Sequence, residues 1–252
     1  METSIRILNK VKAKNPILVV GMPGIGNVGR VAAGYMVSEM KMKKFAELHS
    51  SHFPHLVIID EEDEARMLRC EFFHMKGKRD MIVLTGDTQS VTPEGHYEFC
   101  EKVLEFSKKM GVKDIITLGA FPSGEMKAEP RVVAAVSDKL LKKKYSFLDF
   151  GKDRPVGTII GAAGLIAGMS RNYGMNTLVL MGETFGMPLM MDPKAADSIL
   201  HVLTKILGLK LDLSKLEKTV ADMEERLKKT EEIHKKVLED MPKSKEDVRY
   251  IG

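Results

Sequence analysis

Tryptophan is absent from this chain of 252 residues, glutamine occurs once, and cysteine twice. With aromatic residues at only 6%, a core must come from Val, Ile, Leu and the 18 methionines. Cys70 and Cys100 match no metal or redox spacing and read as small buried apolar residues. No uninterrupted apolar run approaches the roughly 20 residues that span a membrane. The opening METSIRILNK lacks the apolar centre of a secretory signal, so a cytoplasmic location and no membrane partner are expected. A dominant charge is missing too. The 39 basic and 35 acidic side chains leave a net +4, and the one basic block is Lys142-Lys143-Lys144. Charge this modest and intermixed gives no reason to expect nucleic acid. Scarce glutamine beside abundant lysine and glutamate fits a heat-adapted source.

What is present supports a soluble α/β fold. Hydrophobic residues make up 44% of the chain, enough for one large domain with an appendage. Short apolar runs at Ile17–Val20, Leu56–Ile59, Met81–Leu84, Ile115–Leu118 and Thr177–Met181 predict strands. Ala65–Phe73 and Gly157–Gly161 predict two more, and Val132–Val136 is either a strand or a packed helical turn. Helices are predicted over Arg30–Met40, Glu94–Met110, Leu165–Tyr173 and Pro193–Leu207. Strands alternating with helices predict a mixed, largely parallel sheet with helices on both faces.

The segment Gly21–Gly29, GMPGIGNVG, follows a predicted strand and precedes a predicted helix. Gly24, Gly26 and Gly29 have the spacing of a dinucleotide-binding turn, and with Asn27 they form a candidate ligand loop. Glu47 lies near the place where such a fold keeps its ribose-binding acid, but no clean strand leads into it. No Lys-Ser or Lys-Thr follows the glycines, which excludes a Walker-type loop. Asp87, Ser123 and Glu183 lie beyond predicted strands and are candidates to line a strand-end crevice. No nucleophile, base and orienting acid can be assembled from the sequence, so no catalytic residue is assigned. The acidic run Asp60–Glu64 lacks the alternating ligands of a calcium loop. The evenly spaced His49, His52 and His55 raise zinc, but Pro54 works against a shared helical face, and no metal is expected.

After Gly208 the sequence changes character. Leu213, Leu216, Val220, Met223 and Leu227 recur at steps of three and four, and Glu224–Lys228 and Glu225–Lys229 pair across one turn. Three regions are therefore expected: an α/β domain over 1–211, an amphipathic helix over 212–241 for self-association or partner binding, and a flexible tail over 242–252.

Several ordered segments resemble one known family. They are GMPGIGNVGRVAAG (Gly21–Gly34), LTGDTQSVTPEGHYEF (Leu84–Phe99), GVKDIITLGAFPSGE (Gly111–Glu125), PRVVAA (Pro130–Ala135), GTIIGAAGLIAG (Gly157–Gly168), GMNTLVLMGETFG (Gly174–Gly186) and DPKAADSILHVLTKILGLKLDLSKL (Asp192–Leu216). The set is similar to the PAC2 family, whose eukaryotic relatives are proteasome assembly chaperones, and within it to archaeal homologues of those chaperones. The resemblance covers about Ile17 to Leu216. It implies a phosphorylase/hydrolase-like sheet, a homo-oligomer (tetramer or pentamer), and binding to proteasome α subunits without ATP or another cofactor. It carries over no catalytic residues. The stripe Leu216, Val220, Met223 and Leu227 would then supply partner contact, with Tyr250 and Ile251 as tail anchors. Proteasome-binding tails end in a hydrophobic–Tyr–any triplet. Here Tyr250 is third from last and Arg249 precedes it, a departure from that pattern. Two other readings stay open at this point. One is an enzyme acting on a small phosphorylated, nucleotide-like or carboxylate substrate in the crevice. The other is a structural protein that associates only with itself.

Overall fold

The computed structural model describes residues 2–59, 62–125, 127, 129–152, 157–186, 191–216 and 218. The chain divides into two units, Met1–Leu213 and Ser214–Gly252. The first unit contains the strands β1 (Ser4–Ile7), β2 (Ile17–Gly21), β3 (Lys43–His49), β4 (Val57–Ile59), β5 (Ala65–Met67), β6 (Cys70–Met75), β7 (Met81–Gly86), β8 (Asp114–Pro122), β9 (Val132–Val136) and β10 (Asn176–Thr184). Its helices are α1 (Val28–Glu39), α2 (Pro93–Lys109), α3 (Lys139–Lys144), α4 (Ala162–Met169) and α5 (Pro193–Leu207). Of the second unit, Ser214, Lys215, Leu216 and Lys218 are described, and Leu216 is 4% exposed. Val220, Met223, Leu227, Tyr250 and Ile251, with most of the predicted helix and all of the predicted tail, lie outside the described residues.

Among the described residues the main sheet has eight strands in the order β1-β3-β6-β7-β2-β8-β10-β9. Its centre, β7-β2-β8-β10, is parallel, and both flanks are antiparallel. The chemistry follows that layout. Ile17–Gly21 is buried throughout, as a parallel strand covered on both faces must be. Cys70–Met75 alternates fully and partly buried positions, as a flank strand does. Helices lie on both faces. Thr117 on β8 donates to the Ala163 carbonyl of α4 at 3.1 Å. On the neighbouring strand, Gly21 faces Gly29 and Ala33 of α1, whereas Val20, one residue earlier, points into the cluster containing Phe99, Leu104 and Ile166.

Helix boundaries are set by local chemistry. The Thr92 hydroxyl accepts the Gly95 amide at 3.1 Å, Pro93 opens α2, and Gly111 turns the chain at φ 81°. Asp192 caps α5 by accepting the Ala195 amide at 2.9 Å, and Gly208 at φ 63° ends it. Phe45, Phe72 and Phe106 pack beneath the antiparallel flank, with Phe72 and Phe106 centroids 4.9 Å apart.

Some expectations need correction. Ala65–Phe73 is not one strand: Leu68 and Arg69 divide it into β5 and β6, which belong to different sheets. Leu56–Ile59 yields a strand, Val57–Ile59, that pairs among the described residues with β5 in a small hairpin. Gly157–Gly161 forms no strand, and Gly161 instead precedes α4 at φ 86°. Val132–Val136 is a strand, antiparallel to β10.

Cys70 and Cys100 are both free and buried. Burial pushes both thiols up, that of Cys100 to about 12. The thiolate is the reactive form, so for Cys100 a rise from the ordinary thiol value cuts it roughly a thousand-fold at mildly alkaline pH. Native protein should therefore resist a disulfide reagent that titrates two thiols at once in concentrated guanidinium. Rapid labelling of either cysteine without denaturant would contradict this burial.

Candidate functional site

The carboxyl ends of β2, β7, β8 and β10 lie along one edge of the sheet, where an open α/β fold usually binds its ligands. The glycine loop leaves β2 there. After Gly21 the chain passes through a single 3-10 turn, Ile25–Asn27, into α1. Gly26 needs its glycine, because its φ is 61° and a Cβ would meet the Thr184 hydroxyl at 2.9 Å and the Asp192 Cβ at 3.2 Å. Gly29 has no room for a side chain against the Leu118 carbonyl of β8. Gly24 is extended and unstrained, and Asn27 takes a left-handed conformation at φ 49° without capping α1 by its side chain.

Protein groups occupy two carbonyls of this loop, those of Pro23 and Gly26. The Gly26 carbonyl accepts the Asp192 amide at 2.8 Å, and the Thr184 hydroxyl donates to the Asp192 carboxylate at 2.7 Å. Gln89 bridges the loop to the start of α4: its side-chain amide donates to the Pro23 carbonyl, and its oxygen accepts the Ala162 amide at 2.8 Å. Gln89 and Asp192 were not singled out as site residues from the sequence. Gln89 carried one signal, being the sole glutamine and lying three residues beyond a strand.

The crevice candidates are taken up in a similar way. Asp87 is gripped by Arg66 at 2.6 and 3.2 Å and by the Arg69 amide at 3.1 Å, with Arg30 at 3.9 Å. Burial opposes its ionisation, but the Arg66 and Arg69 hydrogen bonds and the nearby positive charges hold its carboxyl below the usual range. Ser123 donates to the Glu125 carbonyl at 3.0 Å or the Thr184 carbonyl at 3.3 Å. The buried Glu183 carboxylate accepts the Arg131 amide at 3.3 Å and so fixes the start of β9. Ser123 and Glu183 come together at the ends of β8 and β10. Asp87, at the end of β7, lies across β2 from them.

Glu47 is not in position to be the acid of a dinucleotide site. It sits on β3, three strands from β2 in the sheet order, or roughly 14 Å at normal strand spacing. It is buried and paired with Lys44 at 2.9 Å, Arg69 at 3.4 Å and Arg6 at 3.6 Å. The histidines do not converge either. His52 contacts Glu98 at 3.1 Å and Thr92 at 3.0 Å through its two ring nitrogens. Among the described residues no group of three His, Cys, Asp or Glu could hold a metal ion. A cleft of about 420 Å³ lies elsewhere, lined by Lys142, Ser146, Leu148, Asp149, Phe150 and Lys152.

Four of the strand-end loops each expose an apolar side chain. Ile25 is 46% exposed, Val91 65%, Ile160 90% and Met191 55%, each on a different loop. The Gln89 and Asp192 hydrogen bonds tie three of these loops together directly, and Val91 is two residues from Gln89. Apolar side chains over a hydrogen-bonded base suit protein contact better than capture of a small polar substrate.

The model of the PAC2 family matches residues 18–231. An uncharacterised protein of Methanocaldococcus jannaschii, MJ1210, is 36% identical over 253 residues, covering 98% of this chain and 97% of its own. The structure of Pyrococcus furiosus PbaB, an archaeal proteasome activator, superposes with a TM-score of 0.86 at 38% identity, covering 91% of this chain and 99% of PbaB. Pyrococcus furiosus PbaA, an archaeal homologue of proteasome-assembly chaperone, gives 0.77 at 26% identity, covering 94% and 95%.

Proposed function

Because the chain belongs to the PAC2 family, we propose that it is a nucleotide-independent proteasome scaffold that associates with itself and binds α subunits. The observation that carries this reading is the near full-length likeness to PbaB, joined by the likeness to PbaA. The strand-end surface supports it: its loops bond to one another and turn Ile25, Val91, Ile160 and Met191 outward. The scaffold works by masking and aligning subunit surfaces, with no bond chemistry. The stripe residues Val220, Met223 and Leu227 and the tail residues Tyr250 and Ile251 are the proposed contacts of the carboxyl-terminal arm, whereas Leu216, 4% exposed, has little surface to offer a partner. The greater likeness to the activator favours action on the assembled particle as well as on free subunits.

The test is co-elution of the full chain, and of a chain ending at Met241, with α subunits from the same organism in the absence of nucleotide. Peptide hydrolysis by the assembled proteasome is followed in parallel. The full chain should co-elute and raise hydrolysis, and the shortened chain should bind at least about tenfold more weakly, the loss of one good anchor. Equal binding by both would remove the tail from the mechanism. Absence of binding by either would reject the scaffold.

A further inference from the structure

The strands Val57–Ile59 and Ala65–Met67 pair in register as Val57↔Met67, Ile58↔Arg66 and Ile59↔Ala65. Side chains alternate, so the hairpin has two distinct faces. Ile58 and Arg66 hold the inner face, through the hydrophobic core and through Asp87. Val57, Ile59 and Met67 share the outer face and are 50%, 59% and 58% exposed. The connection between the strands is acidic, with Glu62, Asp63 and Glu64 all exposed. An apolar face beside a carboxylate cluster is thus fixed to the body from behind and open in front.

A complementary surface lies elsewhere on the same unit. Helix α3 follows the edge strand β9 and carries Lys139, Lys142, Lys143 and Lys144, all exposed. Among them Leu140 is 72% exposed, and Phe147 just beyond is 53% exposed. Exposed apolar side chains thus lie among lysines, with the Lys205 ammonium 5.3 Å from the Phe147 ring and that of Lys142 5.0 Å from the Phe150 ring, next to the cleft lined by Lys142, Phe150 and Lys152. In one molecule the two surfaces cannot meet. The hairpin is anchored at β7, and β9 lies four strands further across the sheet, roughly 19 Å away.

We infer that the outer face of the hairpin of one copy docks on the α3 surface of the next, a head-to-tail contact between identical chains. The inference rests on the self-association in the proposed function and supplies the surfaces that make it. Apolar centres meet, while Glu62, Asp63 and Glu64 face the lysines of α3, which fixes register and disfavours hairpin-to-hairpin pairing by like-charge repulsion. Because the two surfaces differ, the contact is heterologous, and repeated copies close into a ring when the rotation between them permits.

Cysteine cross-linking reads this contact directly, since Cys70 and Cys100 are buried. Full-length chains carrying Met67→Cys, Leu140→Cys, or both, are treated with a short bismaleimide. Circular dichroism checks the fold, and light scattering gives the mass before treatment. The double variant should yield a ladder of covalent multimers, a mixture of the single variants should stop at dimers, and each single variant alone should remain uncoupled. Dimers from Met67→Cys alone would show hairpin meeting hairpin and overturn the proposal. A multimer that gives no ladder overturns this interface but leaves self-association standing. A monomer that gives no ladder removes both.

Discussion

A valine at Gly29 is expected to prevent folding, whereas an alanine at Gly34 in the same helix should be tolerated or mildly stabilising. The Cβ at position 29 would drive into the Leu118 carbonyl and come within 3.2 Å of the Met22 carbonyl. Both belong to the centre of the molecule, where backbone cannot shift without breaking the parallel ladder of β2 and β8. Overpacked cores ordinarily lose about 1–3 kcal/mol by moving side chains. Here relief requires moving α1 off the sheet, so the loss should approach the whole stability of a domain, about 5–15 kcal/mol. Gly34 has nothing within 4 Å of its added Cβ, and alanine gains about 1 kcal/mol of helix propensity over glycine. Soluble yield, far-ultraviolet circular dichroism and the urea midpoint check both variants. A Gly29→Val protein with an unchanged midpoint would show that α1 does not need this close approach.

That contrast also explains what the sequence could reveal. The spacing of Gly24, Gly26 and Gly29 is the same whether a loop cradles phosphate or lets a helix rest on a sheet. Only the surroundings decide between them, and Gln89 and Asp192 lie 66 and 166 residues in sequence from the loop carbonyls they bond, Pro23 and Gly26. The central strands were legible because burial on both faces demands apolar runs such as Ile17–Val20 and Met81–Leu84. The flank was not. β3 reads KKFAELH, and its Lys44 and Glu47 are accommodated because they bond to each other and to charges on β1 and β6. β1, only four residues long, gave no pattern to read. The helix α3 was visible only as a basic block, since its six residues are too short for periodicity. At the strand ends, Asp87, Ser123 and Glu183 were found from their positions, but their bonds to Arg66, Thr184 and Arg131 depend on topology.

Asp87 offers the second large effect. Asp87→Ala should lower global stability by about 2–3 kcal/mol, somewhat below the 3–5 typical of breaking a fully buried pair, because Arg66 is a quarter exposed. The substitution removes the carboxylate that Arg66 grips through its two terminal guanidinium nitrogens and that the Arg69 amide also uses. Arg66 lies on β5, so the loss should concentrate in the hairpin. Amide exchange over Val57–Ile59 and Ala65–Met67 should speed up more than exchange in β2 or β8. The pH dependence has a definite sign. The carboxyl of Asp87 lies below its unfolded value, so its contribution is complete above about pH 4, the ordinary aspartate range, and is lost as pH falls through the lower folded value. Asp87→Asn keeps the shape and removes the titration, so its urea midpoint should fall less steeply than wild type over that acid window. An Asp87→Ala protein with unchanged midpoint and intact hairpin protection would rule out this anchor. If the hairpin is also the docking face between copies, Asp87→Ala introduced into the Met67→Cys, Leu140→Cys chain should reduce the covalent ladder while the rest of the sheet stays folded. Those two readouts separate a displaced hairpin from general unfolding, because only the first spares the slow-exchanging amides of β2, β8 and β10.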